Sequence, residues 1–393
     1  MSTFRDLLEQ TRAGIAETDV PGARQLIDTQ QAAIVDIRED DEVADGLVPG
    51  AVHIPRGYLE MRIEQAVPDK DQPVVVYCAG GTRSAFAAKS LAELGYRQVT
   101  SLAGGFNAWK EAGEAWTKPA ASLSADQRRR YSRHLLIPGI GEEGQQALLD
   151  AKVLLVGAGG LGAPAALYLS AAGVGTLGVI DADDVDASNL QRQVIHTTGR
   201  LGMSKVESAA QAITALNPDV TVIPHRERLT RENALGIISQ YDIVFDGSDN
   251  FATRYLINDA CVILQKPNVH GSIFRFDGQS TTFDPRNEHS PCYRCLFPEP
   301  PPPELAPNCA EAGVLGVLPG MIGMIQATET VKLILGLGES LVGRLLTYDA
   351  LTMTFRTLKI ARDPSCPMCG PHRPETLDEI EYSDITCAIP QPA

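Results

Sequence analysis

Cys78 ends an apolar run, "VVVYC", and opens the loop "CAGGTRSA", which passes straight into a helical pattern. Gly80 and Gly81 let backbone N–H groups turn toward one point, and a helix N-terminus adds its positive end, so the loop is suited to an anion. A cysteine at the mouth of such a nest is favoured as the thiolate, and Arg83 adds positive charge. The chemistry is then nucleophilic attack, or storage of sulfur as a persulfide in which sulfur itself is the anion. Two other readings share the loop. A strand-ending cysteine is often only a small buried hydrophobe. A phosphatase loop also pairs Cys with Arg, but the four residues between Cys78 and Arg83 make a smaller ring than a phosphate cradle needs.

A second glycine loop, "VGAGGLG", carries Gly157, Gly159, Gly160 and Gly162 between an apolar strand and a helix, the pattern that seats a nucleotide's phosphates. Asp181 ends the next strand, where a carboxylate can bond a ribose hydroxyl. Both features also suit an NAD-dependent dehydrogenase, and at this point nucleotidyl transfer and hydride transfer stand level. The following residues separate them. "DADDVDASNLQRQVIH" places Asp183, Asn189, Arg192 and Gln193 just past the ribose position, and "GMSKVE" adds Lys205. "YDIVFDGSDN" delivers Asp246, Asp249 and Asn250 to the carboxyl edge of a sheet. Hydride transfer needs a flat, largely apolar niche. Splitting a nucleoside triphosphate needs cations on the phosphates and a carboxylate for Mg²⁺, and this is the equipment present.

Two C-x-x-C pairs, Cys292/Cys295 and Cys366/Cys369, offer four thiolates. Four sulfurs fill a tetrahedral Zn²⁺ and leave no position for water, so the expected role is structural, tying the C-terminal segment to the domain. A redox C-x-x-C is the other reading, but the first pair adjoins no strand-to-helix turn of thioredoxin type. Cys309 lies outside both pairs, just after the proline-rich "PEPPPPELAP". Cys261, in "NDACVILQKP", reads as core, and Cys387 has no assigned role.

These side chains need two α/β frameworks to hold them. Residues 1–117 alternate short strands with helical patterns at single-domain size, residues 118–130 form a linker and the start of a polar helix, residues 131–371 form a second strand–glycine turn–helix unit of Rossmann order, and residues 372–393 read as a tail. Ser124 and Gln127 make a capping box that opens the helix "ADQRRRYSRHLL". The most apolar segment, "VLGVLPGMIGMIQATETVKLILG", is interrupted by Pro319, Gln326, Glu329 and Lys332, and reads as a buried helix rather than a membrane span. The chain has 393 residues, of which 44% are apolar, with a net charge of −15. That charge disfavours nucleic-acid binding, because no basic excess displaces counterions. The N-terminus lacks an export signal, and a cytoplasmic location is expected.

The first 117 residues resemble a single-domain rhodanese, a sulfurtransferase, through "VDIRE", "GAVHIPRG", "CAGGTRSA" and "LAGGFNAWKEAG" in that order. The resemblance makes Cys78 the persulfide carrier and leaves Asp36, His53 and Trp109 as structural residues. "RYSRHLL", "GAGGLG", "SNLQRQ", "SKVE", "DGSDN", "PCYRCLFP", "CAEAGVLGVLPG" and "CPMCG" resemble the MoeB/ThiF family, related to the adenylating half of ubiquitin-activating enzymes. It implies ATP-dependent adenylation of the C-terminal Gly-Gly carboxylate of a small ubiquitin-fold sulfur carrier of MoaD/ThiS type. It also implies Asp181 on the ribose, Arg192 and Lys205 on phosphates with help from Asn189 and Gln193, and Asp249 on Mg²⁺. Arg133 is similar to the family's arginine finger, which enters the neighbouring subunit of a homodimer, and Cys309 is similar to its reactive cysteine. The sulfur would come from a cysteine desulfurase or thiosulfate and leave as a carrier thiocarboxylate for molybdopterin, thiamine, cysteine or tRNA thiolation.

Overall fold

The computed structural model describes residues 3–43, 45–117, 123–299, 313–380 and 382. The chain divides into two compact units, residues 1–123 and 124–393.

In the first unit, strand β4 (Val74–Tyr77) is buried at every position, which requires helices on both faces. It lies at the centre of a five-stranded sheet with β1 (Ala16–Thr18), β2 (Ala33–Asp36), β3 (Val52–His53) and β5 (Val99–Leu102), in the order β1-β5-β4-β2-β3. Every pairing is parallel. The helix Thr82–Glu93 buries Ala85, Ala87, Ala88 and Leu91, small residues that let it lie close to the sheet. Gly95, at φ +95°, stops it as its sequence position suggests.

Asp36 and Trp109, read as structural, are buried and bonded within the unit. Asp36 and Arg38 form a buried ion pair, Nη2 to Oδ2 2.6 Å, with side chains 0% and 3% exposed. Arg38 also donates to the carbonyls of Gly46 and Glu42, at 2.6 and 3.1 Å, and its guanidinium lies over the Phe106 ring. Trp109 is buried and donates to the Ala115 carbonyl at 2.9 Å. His53 Nε2 lies 2.8 Å from the Arg38 carbonyl.

In the second unit, β6 (Lys152–Val156), β7 (Thr176–Ile180), β8 (Thr221–His225), β9 (Ile243–Asp246) and β10 (Asn268–Phe274) form the parallel part of an eight-stranded sheet. The antiparallel strands β11 (Asp277–Phe283), β12 (Arg344–Asp349) and β13 (Thr354–Lys359) extend it beyond β10. The order β13-β12-β11-β10-β9-β6-β7-β8 puts the switch in winding direction between β6 and β9, where ligands of such sheets sit.

The apolar C-terminal segment is the helix Leu318–Leu335, with Pro319 in its first turn and Gly336, at φ +63°, as its cap. Gln326, Glu329 and Thr330 are buried partners, while Thr328 faces solvent. Glu329 accepts from the Leu341 N–H at 2.6 Å and pairs with Lys332, and Gln326 Nε2 donates to the Asp246 and Val269 carbonyls. Among the described residues no helix is long and apolar enough to cross a membrane.

Two elements differ from expectation. The capping box at Ser124 and Gln127 is present, but "ADQRRRYSRHLL" is two short helices, Ala125–Arg130 and Ser132–Leu135, rather than one. Tyr131 breaks it: its ring is buried against Gly173, and its hydroxyl accepts from Asn217 Nδ2 at 2.8 Å. The segment after Cys369 also packs into the unit, since Leu377 and Ile380 belong to a core cluster with Leu256 and Ile257.

Removing Arg38 leaves the Asp36 carboxylate buried without its cation. Arg38→Met is expected to destabilise the first unit by about 3–5 kcal/mol. The chain's two tryptophans, Trp109 and Trp116, both lie in this unit. Urea unfolding followed by tryptophan fluorescence therefore isolates the effect; an unchanged midpoint would contradict the structural role.

Candidate functional site

Cys78 follows β4 directly and is 1% exposed. The Gly81 N–H donates to its sulfur at 3.2 Å, and Ser84 Oγ lies 3.7 Å from it, held in turn by Ser101 Oγ at 3.0 Å. The outward carbonyls of the loop are held from outside. Phe106 N–H donates to the Cys78 carbonyl at 2.8 Å and Asn107 N–H to that of Ala79 at 3.0 Å. Close approach of two Gly-Gly pairs makes this possible. A Cβ on Gly105 would lie 2.1 Å from the Cys78 oxygen, and one on Gly81 would lie 2.8 Å from the Gly104 nitrogen. Sequence reasoning assigned no role to Gly104, Gly105, Ser84 or Ser101; the second Gly-Gly pair, after a strand and before a helix, was the available signal.

Arg83 is not a free cation. Its Nη1 and Nη2 donate to the two oxygens of Glu42 at 2.7 and 2.6 Å. This pairing is the main reason the Glu42 carboxyl is held down at about 2, and it raises the Arg83 guanidinium, which also feels the Cys78 sulfur.

In the second unit, Gly157 follows β6 and Gly162 begins the helix Gly162–Ala172. A Cβ on Gly162 would stand 1.9 Å from the Gly157 oxygen, and one on Gly157, at φ +95°, 2.9 Å from the Gly247 oxygen after β9. The loop therefore sits at the switch point, against the neighbouring strand's end. Gly160 lies against Pro319 and Arg192, and Gly159 against Gln193.

Asp181, after β7, accepts the Ala158 N–H on Oδ2 and the Asp183 N–H on Oδ1, both at 2.9 Å. Burial raises its pKa, and Lys205 opposes the rise. Lys205 is itself 7% exposed and pairs with Asp183 at 2.9 Å. Arg192 leans on the Ser188 carbonyl at 3.2 Å, and Asn189 Nδ2 approaches Ser188 Oγ. Gln193 is buried, and its Oε1 has no hydrogen-bond partner among the described residues.

The two carboxylates of "DGSDN" part ways. Asp246 is fully buried, bonded to Ser248 Oγ at 2.5 Å and His270 Nδ1 at 2.7 Å. Asp249 is exposed at the edge, touched by Asn250 Nδ2 at 3.3 Å, while Asn250 Oδ1 caps the helix Phe251–Leu264. Arg133 is exposed and makes no ion pair among the described residues. Cys309 and Cys387 lie outside the described residues, and Cys261 is core, its thiol pushed up by burial.

Cys292, Cys295, Cys366 and Cys369 converge, with all four sulfurs within 4.8 Å of one another. Cys292 stands 3.8 Å from Cys295 and 3.6 Å from Cys366, and Cys295 stands 3.4 Å from Cys369. Sulfurs at the corners of a tetrahedron with 2.3 Å metal–sulfur bonds stand about 3.8 Å apart. The cluster therefore fits a tetrahedral metal ion. The N–H groups of Cys292 and Asp363 each point at Cys295 Sγ from 3.4 Å, the outer-shell support such sites carry.

His196 was not anticipated. It is buried beneath the glycine loop, with Nε2 3.0 Å from the Ala158 carbonyl and Nδ1 2.9 Å from Ser208 Oγ. Ala158 is thus held at both ends, by Asp181 and by His196. Burial lowers the His196 pKa, so the folded state keeps it neutral. The unfolded chain binds the proton first, so stability from this residue is present above the ordinary value of about 6.5 and is lost as pH falls below it. His196→Asn is expected to flatten the loss of thermal stability between about pH 6.5 and 5. Identical slopes in both proteins would show that His196 is not a neutral buried donor.

The ThiF family description matches residues 131–368, and the rhodanese-like domain description matches residues 20–112. A Mycobacterium tuberculosis protein named probable adenylyltransferase/sulfurtransferase MoeZ is 54% identical over 252 residues, 64% of this chain and 64% of its own length. The match thus spans less than two thirds of that relative. A Thermus thermophilus protein named sulfur carrier protein adenylyltransferase is 51% identical over 270 residues, 68% of this chain and 97% of its own. Among solved structures, Escherichia coli MccB with a MccA peptide aligns at a TM-score of 0.55 and 20% identity, covering 63% of this chain and 76% of that one, a likeness of fold. The chain belongs to the ThiF family and carries a rhodanese-like domain ahead of the family region.

Proposed function

We propose that the second unit adenylates the C-terminal carboxylate of a ubiquitin-fold sulfur carrier with ATP and Mg²⁺, and that Cys78 supplies the sulfur. One observation carries the reading: the glycine loop, Asp181 and the Lys205–Asp183 pair meet at the switch point with Asp249 open beside them. The carrier carboxylate attacks the α-phosphorus and pyrophosphate leaves, giving an acyl-adenylate. Backbone N–H groups of Gly157–Gly162, Arg192 and Lys205 would bind phosphates, with Asn189 and Gln193 alongside, Asp181 the ribose, and Asp249 with Asn250 the Mg²⁺ end.

The Cys78 persulfide then attacks the acyl carbon and AMP leaves, joining carrier and Cys78 through an acyl disulfide. A second thiol, for which Cys309 is the candidate, attacks the Cys78 sulfur and frees the thiocarboxylate, leaving a Cys78–Cys309 disulfide that an external thiol must reduce before the next turn. Carrying both units on one chain raises the donor's local concentration. The name of the Thermus thermophilus relative supports a sulfur-carrier substrate, and that of the Mycobacterium tuberculosis relative supports the pairing of adenylyl and sulfur transfer. The cysteine cluster is read as structural Zn²⁺, and the protein as a cytoplasmic homodimer in which Arg133 enters the partner's site.

Carrier-dependent ATP–pyrophosphate exchange tests the first half. Asp249→Ala should abolish it and Cys78→Ser should retain it, while Cys78→Ser should make no thiocarboxylate from a supplied sulfur donor. Mixed Arg133→Ala and Asp249→Ala chains should regain part of the exchange, since one hybrid site holds both residues. Loss of exchange in a folded Cys78→Ser protein would overturn the division of labour.

The metal reading predicts one zinc per chain by elemental analysis. Cys366→Ser should release it and destabilise the second unit, since structural zinc binding is worth roughly 10–16 kcal/mol in small sites. Folded protein with no bound metal would refute it.

A further inference from the structure

We propose that Glu42 sets the donor specificity of the Cys78 loop by masking Arg83, so that the loop accepts sulfur from a persulfide in preference to thiosulfate. The inference rests on the reading of Cys78 as a sulfur carrier.

The Arg83–Glu42 contact is bidentate, with both nitrogens at 2.7 Å or closer, and the side chains are 37% and 30% exposed. It is not a loose surface pair. Glu42 Oε2 also accepts the Glu39 N–H at 3.0 Å, and the Glu42 carbonyl accepts from Arg38, which is locked by Asp36. The residue that carries the carboxylate is thus anchored to the buried Asp36–Arg38 pair. Arg38 cannot substitute, because its guanidinium is already occupied by Asp36, Gly46 and Glu42. A donor reaching Cys78 meets a neutralised arginine.

The two donor classes differ in what leaves. With thiosulfate, the Cys78 thiolate attacks the sulfane sulfur, the S–S bond breaks, and its electron pair departs with sulfite, a dianion. Both the incoming and the leaving species then carry two negative charges and need a free cation. With a cysteine persulfide, the same attack releases a single thiolate, which takes up one proton. The inward N–H groups of the loop suffice for the new Cys78 persulfide in both cases. A masked Arg83 handicaps the first reaction far more than the second.

The readout is the ratio of kcat/KM for thiosulfate to kcat/KM for cysteine persulfide, with loading of Cys78 followed by intact mass. Glu42→Gln keeps the shape and removes the charge. It should raise the ratio by about tenfold, mainly through a lower KM for thiosulfate, and the gain should shrink at high salt. Glu42→Asp retains the charge and should keep the ratio near that of the unmodified protein. An unchanged ratio in Glu42→Gln, with Cys78 still loaded by both donors, would overturn the masking role alone. Failure of both donors, or of cysteine persulfide alone, to load Cys78 in the unmodified protein would overturn the sulfur-carrier reading and this inference with it.

Discussion

Both candidate sites depend on one constraint: a backbone loop must turn so sharply that another stretch of backbone occupies the place of a side chain. At Gly105 the occupant is the Cys78 carbonyl, at Gly162 it is the Gly157 carbonyl, and at Gly157 it is the Gly247 carbonyl. Any Cβ there would push the loop open, and the inward N–H groups would lose their common focus. The glycines do more than permit unusual dihedrals. They let a second element grip the loop from outside, so that its anion-binding face is fixed before any ligand arrives. In the first unit the grip is the N-terminus of the helix Gly105–Glu111; in the second it is the turn after β9.

A second layer fixes the ends of each loop. Ala158 is bonded through its N–H to Asp181 and through its carbonyl to His196, and Asp181 holds Asp183, which holds Lys205. A residue read as a ribose ligand is thus also a structural clamp. Its two oxygens each take one backbone N–H, leaving lone pairs free for a hydroxyl. The cysteine cluster acts the same way at the far end of the chain. It joins the turn at Cys292 to the segment carrying Cys366 and Cys369, and further along the chain Tyr382 donates its hydroxyl to Asp259 beside Arg294.

Much of this was legible in the sequence because it rests on local rules. Glycine spacing after an apolar strand, paired C-x-x-C motifs and the alternation of strands with helices specify both sheets and bring Cys292, Cys295, Cys366 and Cys369 together. What escaped depends on contacts between residues distant in sequence. His196 lies beneath a loop formed some forty residues earlier, and nothing local marks it as different from an ordinary core histidine. Glu42 pairs with Arg83 across the site from a short acidic turn, "EDDE", that reads as solvated surface. Tyr131 splits a well-formed helical pattern because burial of one ring against Gly173 outweighs a few tenths of a kcal/mol of local preference.

The cations of the two sites fall into separate kinds, and the difference bears on how each works. Lys205 and Arg83 are already paired, with Asp183 and Glu42, so their charge is compensated before substrate binds. Arg192 and Arg133 have no carboxylate partner among the described residues. An incoming polyanion gains little from a cation it must first strip from a carboxylate, but it gains position, because the pair is rigid. It gains charge from a cation that is free. In the second unit both kinds are present, and on the proposed reading phosphates would be oriented by one and neutralised by the other. Among the described residues, the first unit sets beside Cys78 a paired arginine and the Gly81 N–H. On the proposed reading that suits a single negative charge on sulfur better than a dianion, so two glycine loops alike in backbone would be tuned to anions of different charge.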